Sequence, residues 1–425
     1  MSLRALIFIL SAMAVYGQPT YTREISRILQ GKCQQCHRAG DIAPMELATY
    51  EQAVDWAADI KRVVNDGIMP PWKPVEGHGK FKGGYGLTAQ EKQDLMAWID
   101  GGTPKGEDSD TPEALPERGD WILGEPDRVL QMPVAYTPPR GKDVYRCFVI
   151  DPQLEGDQYI SAVDMLPGNR KSVHHVILYL DTSGQAEKLD AQDEEAGYSC
   201  YGGPGFDVVT GSNLSVDALS VTLGGWAPGA RPQHLPEGVG MFLSKKAKIV
   251  MQVHYYTNVS REPDQTRVGL YYAKGEVQRR MFFLPLIQQR LAIPAGNAKF
   301  QATASLTLPL LLDAKLINIF PHMHLLGTEI KVEATRGSTT TPLVWINKWD
   351  FNWQGAYTYE EQVPVAAMTT IRMTCTYDNS AGNPRNPSNP PKLVTWGEGT
   401  EDEMCVAFMG VTFDRQGLLG LKPAK

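Results

Sequence analysis

Long hydrophobic runs are scarce in this 425-residue chain. Beyond the first fifteen or so residues no segment reaches the roughly eighteen consecutive apolar positions that a membrane-spanning helix requires, so the body of the chain is expected to be soluble. A basic surplus is missing too. The formal charge is −7, which argues against nucleic acid as a partner. Cysteine and histidine are few, at six and eight. Six of those eight histidines nevertheless fall in patterns that suit metal binding. Aromatic content of 9% is ordinary for a globular protein, and the length allows two to four domains with cores of their own.

The one apolar stretch near the start reads as a secretory signal over residues 1–17. Arg4 supplies the positive end, Leu6–Leu10 begin the apolar part, and Ala12, Ala14 and Gly17 offer small residues for cleavage. An ordinary N-terminal core helix is the plainer alternative. No cysteine closely follows the stretch, which disfavours a lipid anchor there. Export predicts a periplasmic or secreted protein whose remaining cysteines can pair.

Cys33-Gln34-Gln35-Cys36-His37 is a C-x-x-C-H run. Two thiols at that spacing can add to the vinyl groups of one haem, and the adjacent imidazole can become an axial iron ligand. Half of a zinc site is the competing reading, and it lacks a second Cys or His pair nearby. Tyr21, Ile25, Ile28 and Leu29 keep a helical period before the motif. Thr49 and Gln52 form a capping box ahead of Ala53, Trp56, Ile60 and Val63, and Gly67 offers a stop. Thr88 and Glu91 form a second box ahead of Leu95, Trp98 and Ile99, with Gly101 and Gly102 as a stop. Short helices around such a loop resemble a cytochrome c domain, here over 18–107, carrying one covalent haem c. Met69, stiffened by Pro70 and Pro71, is the expected second axial ligand, with Met45 as its rival and His78 as a weaker one, itself read as a solvated loop residue between glycines.

An acidic, proline-containing stretch from Glu107 to Arg118 reads as a linker, taken as 108–120. Beyond it the texture is that of β-sandwiches: Val173–Leu180, Ile249–Tyr256, Ala314–Phe320 and Thr370–Tyr377 are short apolar or alternating runs between turn residues. About 300 residues are too many for one sandwich, so two are expected, at 121–280 and 281–425. The fold class is therefore mainly β with a small α domain.

His322-Met323-His324 has the period of a strand, so both imidazoles should leave the same face and could chelate one ion. Met404 is a candidate third ligand. Two nitrogens and a thioether suit copper better than zinc, although a lone methionine is ordinarily core. His174 and His175 are adjacent. Alternation would send them to opposite faces unless a bulge or strand end intervenes. His254 lies in another strand-like run. Taken singly, these three admit the plainer reading of hydrogen-bonded core histidines.

Taken in order, His174-His175, Gln252-Val253-His254-Tyr255, His322-x-His324 with Leu325-x-Gly327, and Glu403-Met404-Cys405 resemble the copper type II, ascorbate-dependent monooxygenases. Leu235–Gly240 resembles a further run of that family. The resemblance covers about residues 121–415 and implies two jelly-roll-like copper domains whose two copper ions face each other across a solvent cleft. It implies that His174, His175 and His254 hold an electron-transfer copper. It also implies that His322, His324 and Met404 hold the copper at which O2 attacks a substrate C–H bond. A Cys375–Cys405 disulfide is implied too, closing a loop of about 30 residues at about 3–4 kcal/mol by chain entropy. The pairing of Cys147 and Cys200 stays open. Where the peptide-hydroxylating members grip a carboxylate, this chain has Phe320, Val406 and Phe408. The implied partners are O2, a small apolar or aromatic substrate, and a redox partner at the haem domain. Two functions of other classes compete: an exported haem and copper electron-transfer or copper-handling protein without oxygenase activity, and a structural zinc protein.

Overall fold

The computed structural model describes residues 17–39, 41, 43–116, 119–141, 143–206, 221–256 and 262–414. The expected signal segment falls outside them except for Gly17. Two units emerge, one of residues up to 72 together with 85–116, the other of 73–84 together with the chain beyond 116.

The first unit is helical. A continuous helical stretch runs through Tyr21–Ile25, Ser26–Ile28 and Leu29–Cys33, with π-type turns at both ends. Helices follow at Tyr50–Asp55, Ala57–Asn65 and Ala89–Asp100. Both expected capping boxes form, at Thr49 with Gln52 and at Thr88 with Glu91. Gly67 and Gly102 take positive φ where helices stop, a conformation that a Cβ would strain. Tyr21, Ile25, Leu29, Ile60, Leu95 and Trp98 make the core. Residues 110–116 of the acidic stretch read as a linker are held by side chains of the first helix and of the turn after it. Arg27 donates to the Asp110 carbonyl, Gln30 to that of Glu113 and Arg38 to that of Pro116.

The second unit is mainly β. Its first half contains β1 (Arg128–Gln131), β2 (Val144–Ile150), β3 (Gln158–Leu166), β4 (Val173–Asp181), β5 (Tyr198–Ser199), β6 (Thr222–Trp226), β7 (Val239–Leu243), β8 (Lys248–Tyr255), β9 (Arg267–Tyr272) and β10 (Arg279–Arg280). They form two five-stranded sheets, ordered β1-β9-β3-β7-β10 and β5-β2-β8-β4-β6. Inward side chains of both, among them Phe148, Ile160, Leu178, Leu243, Met251 and Leu270, share one core. Cys147 and Cys200 are bonded, which closes the question that the sequence left open.

The second half holds β11 (Phe282–Ile287), β12 (Ala292–Ile293), β13 (Phe300–Thr307), β14 (Ala314–His322), β15 (Gly327–Arg336), β16 (Thr339–Ile346), β17 (Tyr357–Val365), β18 (Thr370–Tyr377), β19 (Val394–Thr395) and β20 (Val406–Phe413). Two four-stranded sheets run β11-β20-β14-β17 and β13-β18-β15-β16, with β12 and β19 as a separate pair. The Cys375–Cys405 disulfide joins β18 of one sheet to the residue preceding β20 of the other.

Strands β16 and β17 end their sheets, and the segment 73–84 covers both edges. Val75 donates its N–H to the Trp345 carbonyl on β16 (2.8 Å). Lys82 donates to Thr358 (2.8 Å), and Glu360 on β17 donates to Lys80 (2.9 Å). Phe81 is buried between Tyr357 and Tyr359, and the His78 ring packs 4.7 Å from that of Trp345. Unpaired strand edges invite wrong partners, and this strap occupies them.

Candidate metal centres

The first triad depends on one extra residue. In the pairing of β4 with β8, Val173 faces Tyr255 and His175 faces His254, so His174 is inserted between two register partners. This β-bulge is what lets adjacent histidines leave the same side of the sheet. Nδ1 of His174 lies 3.3 Å from Nδ1 of His175, which lies 3.4 Å from Nδ1 of His254. All three donor atoms fall within 4.8 Å of one another. Nitrogens bound at about 2.0 Å to one tetrahedral ion sit about 3.3 Å apart, so the cluster fits a metal. Burial, then the neighbouring His254, lowers His174 to about 3, and the same causes lower His175 well below the usual imidazole value. These rings are therefore neutral, the form that ligates.

His254 is 2% exposed and stacks on Tyr145 at 4.1 Å. Its Nε2 points at Asp143, 3.6 Å from Oδ2, too far for a hydrogen bond, and has no hydrogen-bond partner. Burial raises the Asp143 carboxyl, but His254 and Thr400 outweigh it and hold the group down at about 2.

The second site uses the opposite ring nitrogens. His322 ends β14 and His324 follows two residues later, with their Nε2 atoms 3.2 Å apart. Each Nδ1 is engaged elsewhere, that of His322 with Gln354 Oε1 and that of His324 with the Asp402 carbonyl at 3.0 Å. Desolvation lowers both rings, to about 3 and about 4. The buried Glu403 carboxylate accepts from the backbone N–H of His324 (2.9 Å), Leu326 (2.6 Å) and Met404 (3.2 Å). Burial still pushes it up to about 8. The Met404 carbonyl accepts from Tyr377 Oη at 2.8 Å, and Cys405 is in the disulfide. Met404 thus follows the two residues that hold His324 and stands two positions before Val406, the register partner of His322.

Phe320 pairs with Phe408 across β14 and β20, as His322 does with Val406, so all four leave one face of the sheet. The Phe320 ring lies 6.4 Å from that of Phe408 and 6.2 Å from that of His322. Val406 is fully buried, whereas the two phenylalanines are partly exposed.

Phe351 touches both histidine clusters. Its ring stacks on His174 (4.9 Å between centroids) and meets His324 edge-on (5.8 Å). The turn 398–402 also joins them. Glu398 accepts from Tyr145 Oη (2.6 Å), the Thr400 N–H approaches Asp143 (3.4 Å), and Asp402 accepts from Tyr201 Oη (2.9 Å) while its carbonyl holds His324. Sequence reasoning missed Gln354, Phe351, Asp143, Tyr145 and Asp402. No local period marks them, because they reach the sites from turns and from neighbouring strands.

In the helical unit, Cys33 and Cys36 are the two cysteines outside the disulfides. Cys33 closes the first helix, and its carbonyl accepts from Cys36 (3.0 Å) and His37 (2.9 Å), winding the motif into one tight turn. Burial raises the Cys33 thiol to about 12. His37 Nδ1 faces the Met45 carbonyl (3.1 Å) and its sulfur (2.7 Å). Met69 follows the helix Ala57–Asn65, with its N–H bonded to the Val63 carbonyl at 3.1 Å.

Comparison with known proteins agrees with this geometry. Residues 130–262 match the model of the copper type II ascorbate-dependent monooxygenase N-terminal domain, and residues 281–411 match that of the C-terminal domain. Among solved structures, the chain is similar to the major capsid protein P2 of bacteriophage PM2. That match has 11% identity, covers 67% of this chain and 96% of that one, and has a TM-score of 0.26. Infectious bursal disease virus VP2 is another, at 7% identity, 73% and 77% coverage, and a TM-score of 0.22. Likenesses that weak carry no argument. With each histidine cluster inside one of the two matched segments, the chain carries both domains of a copper type II ascorbate-dependent monooxygenase and is an oxygen-using copper oxidoreductase.

Proposed function

We propose that the protein hydroxylates a C–H bond of a small apolar or aromatic substrate, with electrons entering through a haem c on the same chain. His174, His175 and His254 would hold the electron-transfer copper through Nδ1, and His322, His324 and Met404 the oxygen-reacting copper. When bound, the coppers supply O2 activation and the electrons that reduce the second oxygen atom to water. The observation that carries the assignment is the asymmetry of the second site: two converging Nε2 atoms, each with its Nδ1 engaged, beside the anchored backbone of Met404. Two nitrogens leave room for a soft thioether, which favours Cu(I), and for a position open to O2.

The protein's own groups do the rest. Neutral, buried imidazoles offer lone pairs without a charge penalty. Phe320 and Phe408 present an aromatic shelf beside His322. A substrate carboxylate laid against that shelf would be desolvated without a partner, so C-terminal-glycine peptides are expected to be poor substrates. Oxygen consumption over a panel of aromatic amines, lipids, small apolar compounds and glycine-extended peptides tests this reading. Turnover of a glycine-extended peptide at the rate of the best substrate would refute it. Met404→Ala separates hydroxylation from the alternative of an exported electron-transfer or copper-handling protein: for an oxygenase, it abolishes turnover while the first triad keeps its copper.

The helical unit, which holds the expected haem domain of residues 18–107 apart from the strap 73–84, would attach haem through Cys33 and Cys36, with His37 as a residue that would hold the iron. The Met45 sulfur is engaged with Nδ1 of His37, which favours Met69 over Met45 as the methionine that would hold the iron with His37. Tethering raises the effective concentration of the electron donor. A Cys33→Ala, Cys36→Ala double variant keeps the strap 73–84, which belongs to the second unit. Stopped-flow reduction should show its coppers reducing more slowly than in the wild type, and equal rates would remove the haem from the electron route. Two disulfides and the expected signal segment support a periplasmic or secreted location. No described helix is long and apolar enough to cross a membrane.

A further inference from the structure

An imidazole can ligate through a given nitrogen only if its proton sits on the other one. For His322 that choice is made by Gln354. This side chain is 4% exposed, and its Oε1 faces His322 Nδ1. An amide can be built either way round, so its orientation has to come from the network around it. Here the network decides. Gln354 Nε2 donates to the Phe351 carbonyl at 2.9 Å. Turning the amide over would set its oxygen against that carbonyl, two acceptors with no proton between them. The oxygen therefore faces His322, Nδ1 must donate to it, and Nε2 keeps the lone pair that points towards His324 Nε2.

The same turn serves the partner histidine. Trp349 Nε1 donates to the His324 carbonyl at 3.1 Å. The Phe351 ring, whose backbone locks the amide, lies against both His174 and His324. Asp350 is paired with Lys73, itself 10% exposed, at 3.5 Å. The Trp353 ring fits over Gly229, where an added Cβ would sit 3.2 Å away. The turn is thus anchored at both ends.

We propose that Gln354 is a positioning residue for the oxygen-reacting site, fixing His322 as the Nδ1–H tautomer so that Nε2 is available to the metal. This inference rests on the assignment of copper to His322 and His324. Its test is copper affinity, measured by competition with a chromophoric Cu(I) chelator, together with EPR of the Cu(II)-loaded protein. Gln354→Leu keeps the bulk and removes the acceptor. It should weaken one of two coppers by about 10–100-fold, the range seen for outer-shell partners of metal-bound histidine, and alter one EPR signal. The copper at His174, His175 and His254 should bind as before, which shows that the variant is folded. Gln354→Glu still accepts from Nδ1 and should restore affinity to within a few-fold.

Two results would overturn the proposal. One is a Gln354→Leu protein that binds both coppers as the wild type does. The other is a Gln354→Glu protein as impaired as Gln354→Leu, which would make packing rather than the acceptor the cause. His322→Ala separates this failure from that of the underlying assignment. If His322→Ala costs no copper, the site assignment falls and takes the proposal with it. If it costs one copper and Gln354→Leu costs none, only the role of Gln354 falls.

Discussion

The two histidine clusters are built on opposite plans. The first converges through Nδ1 and takes its geometry from strand pairing, His175 being directly across from His254 with His174 added by a bulge. The second converges through Nε2 and takes its geometry from turns, because Gln354, Asp402 and Glu403 each hold one part of it. A sheet supplies rigidity without further partners. A site at a strand end has to import it, and here the imported groups are buried amides, carbonyls and a carboxylate. The difference suits the proposed division of labour. A site that only passes electrons can be closed by three nitrogens, whereas one that admits O2 needs fewer protein ligands held more deliberately.

Breaking the second plan at its sulfur should have the largest effect. Met404→Ala is expected to lower substrate-dependent oxygen consumption by more than the 10–100-fold typical of outer-shell changes, with the first cluster still loaded by EPR. Phe81→Ala should come next. It empties the strap's buried anchor between Tyr357 and Tyr359 and should cost about 3–5 kcal/mol in urea unfolding, with the loss confined to the second sandwich. Removing the Cys375–Cys405 bond by a Cys375→Ser, Cys405→Ser pair should cost about 2–5 kcal/mol and weaken copper at the second cluster more than at the first, as judged by chelator competition. The smallest change sharpens the comparison from the other side. Tyr145→Phe keeps the ring stacked on His254 and removes the bond to Glu398, so a stability loss of about 0.5–1.5 kcal/mol with unchanged copper affinity is expected from thermal unfolding and titration.

Much of this was legible in the chain. The capping boxes at Thr49 and Thr88 and the glycine stops form because those signals are local and their partners lie within one turn. The strand-like runs are strands, Thr370–Tyr377 to the residue. The bulge was legible only as a condition: two adjacent histidines could share a metal if the register slipped, and it does. The strap was not legible. Residues 73–84 look like a glycine-rich loop of the segment read as a haem domain, and nothing local says that they finish two sheets some 270 positions later. His78, which looked like a solvated loop residue, is packed on Trp345 for the same reason. The turn that supplies Gln354 and Phe351 was silent as well, because turn residues carry no period.

Composition and spacing by themselves determined the material: six histidines and a methionine in metal-bearing order, a C-x-x-C-H run, and strands enough for two sandwiches. Those are properties of short windows, where alternation and turn chemistry act directly. Tertiary structure alone decided which ring nitrogen each histidine presents, which aromatic ring stands between the clusters, and which far segment closes the sheet edges. Such choices are made by hydrogen-bond partners and packing surfaces brought together from across the chain.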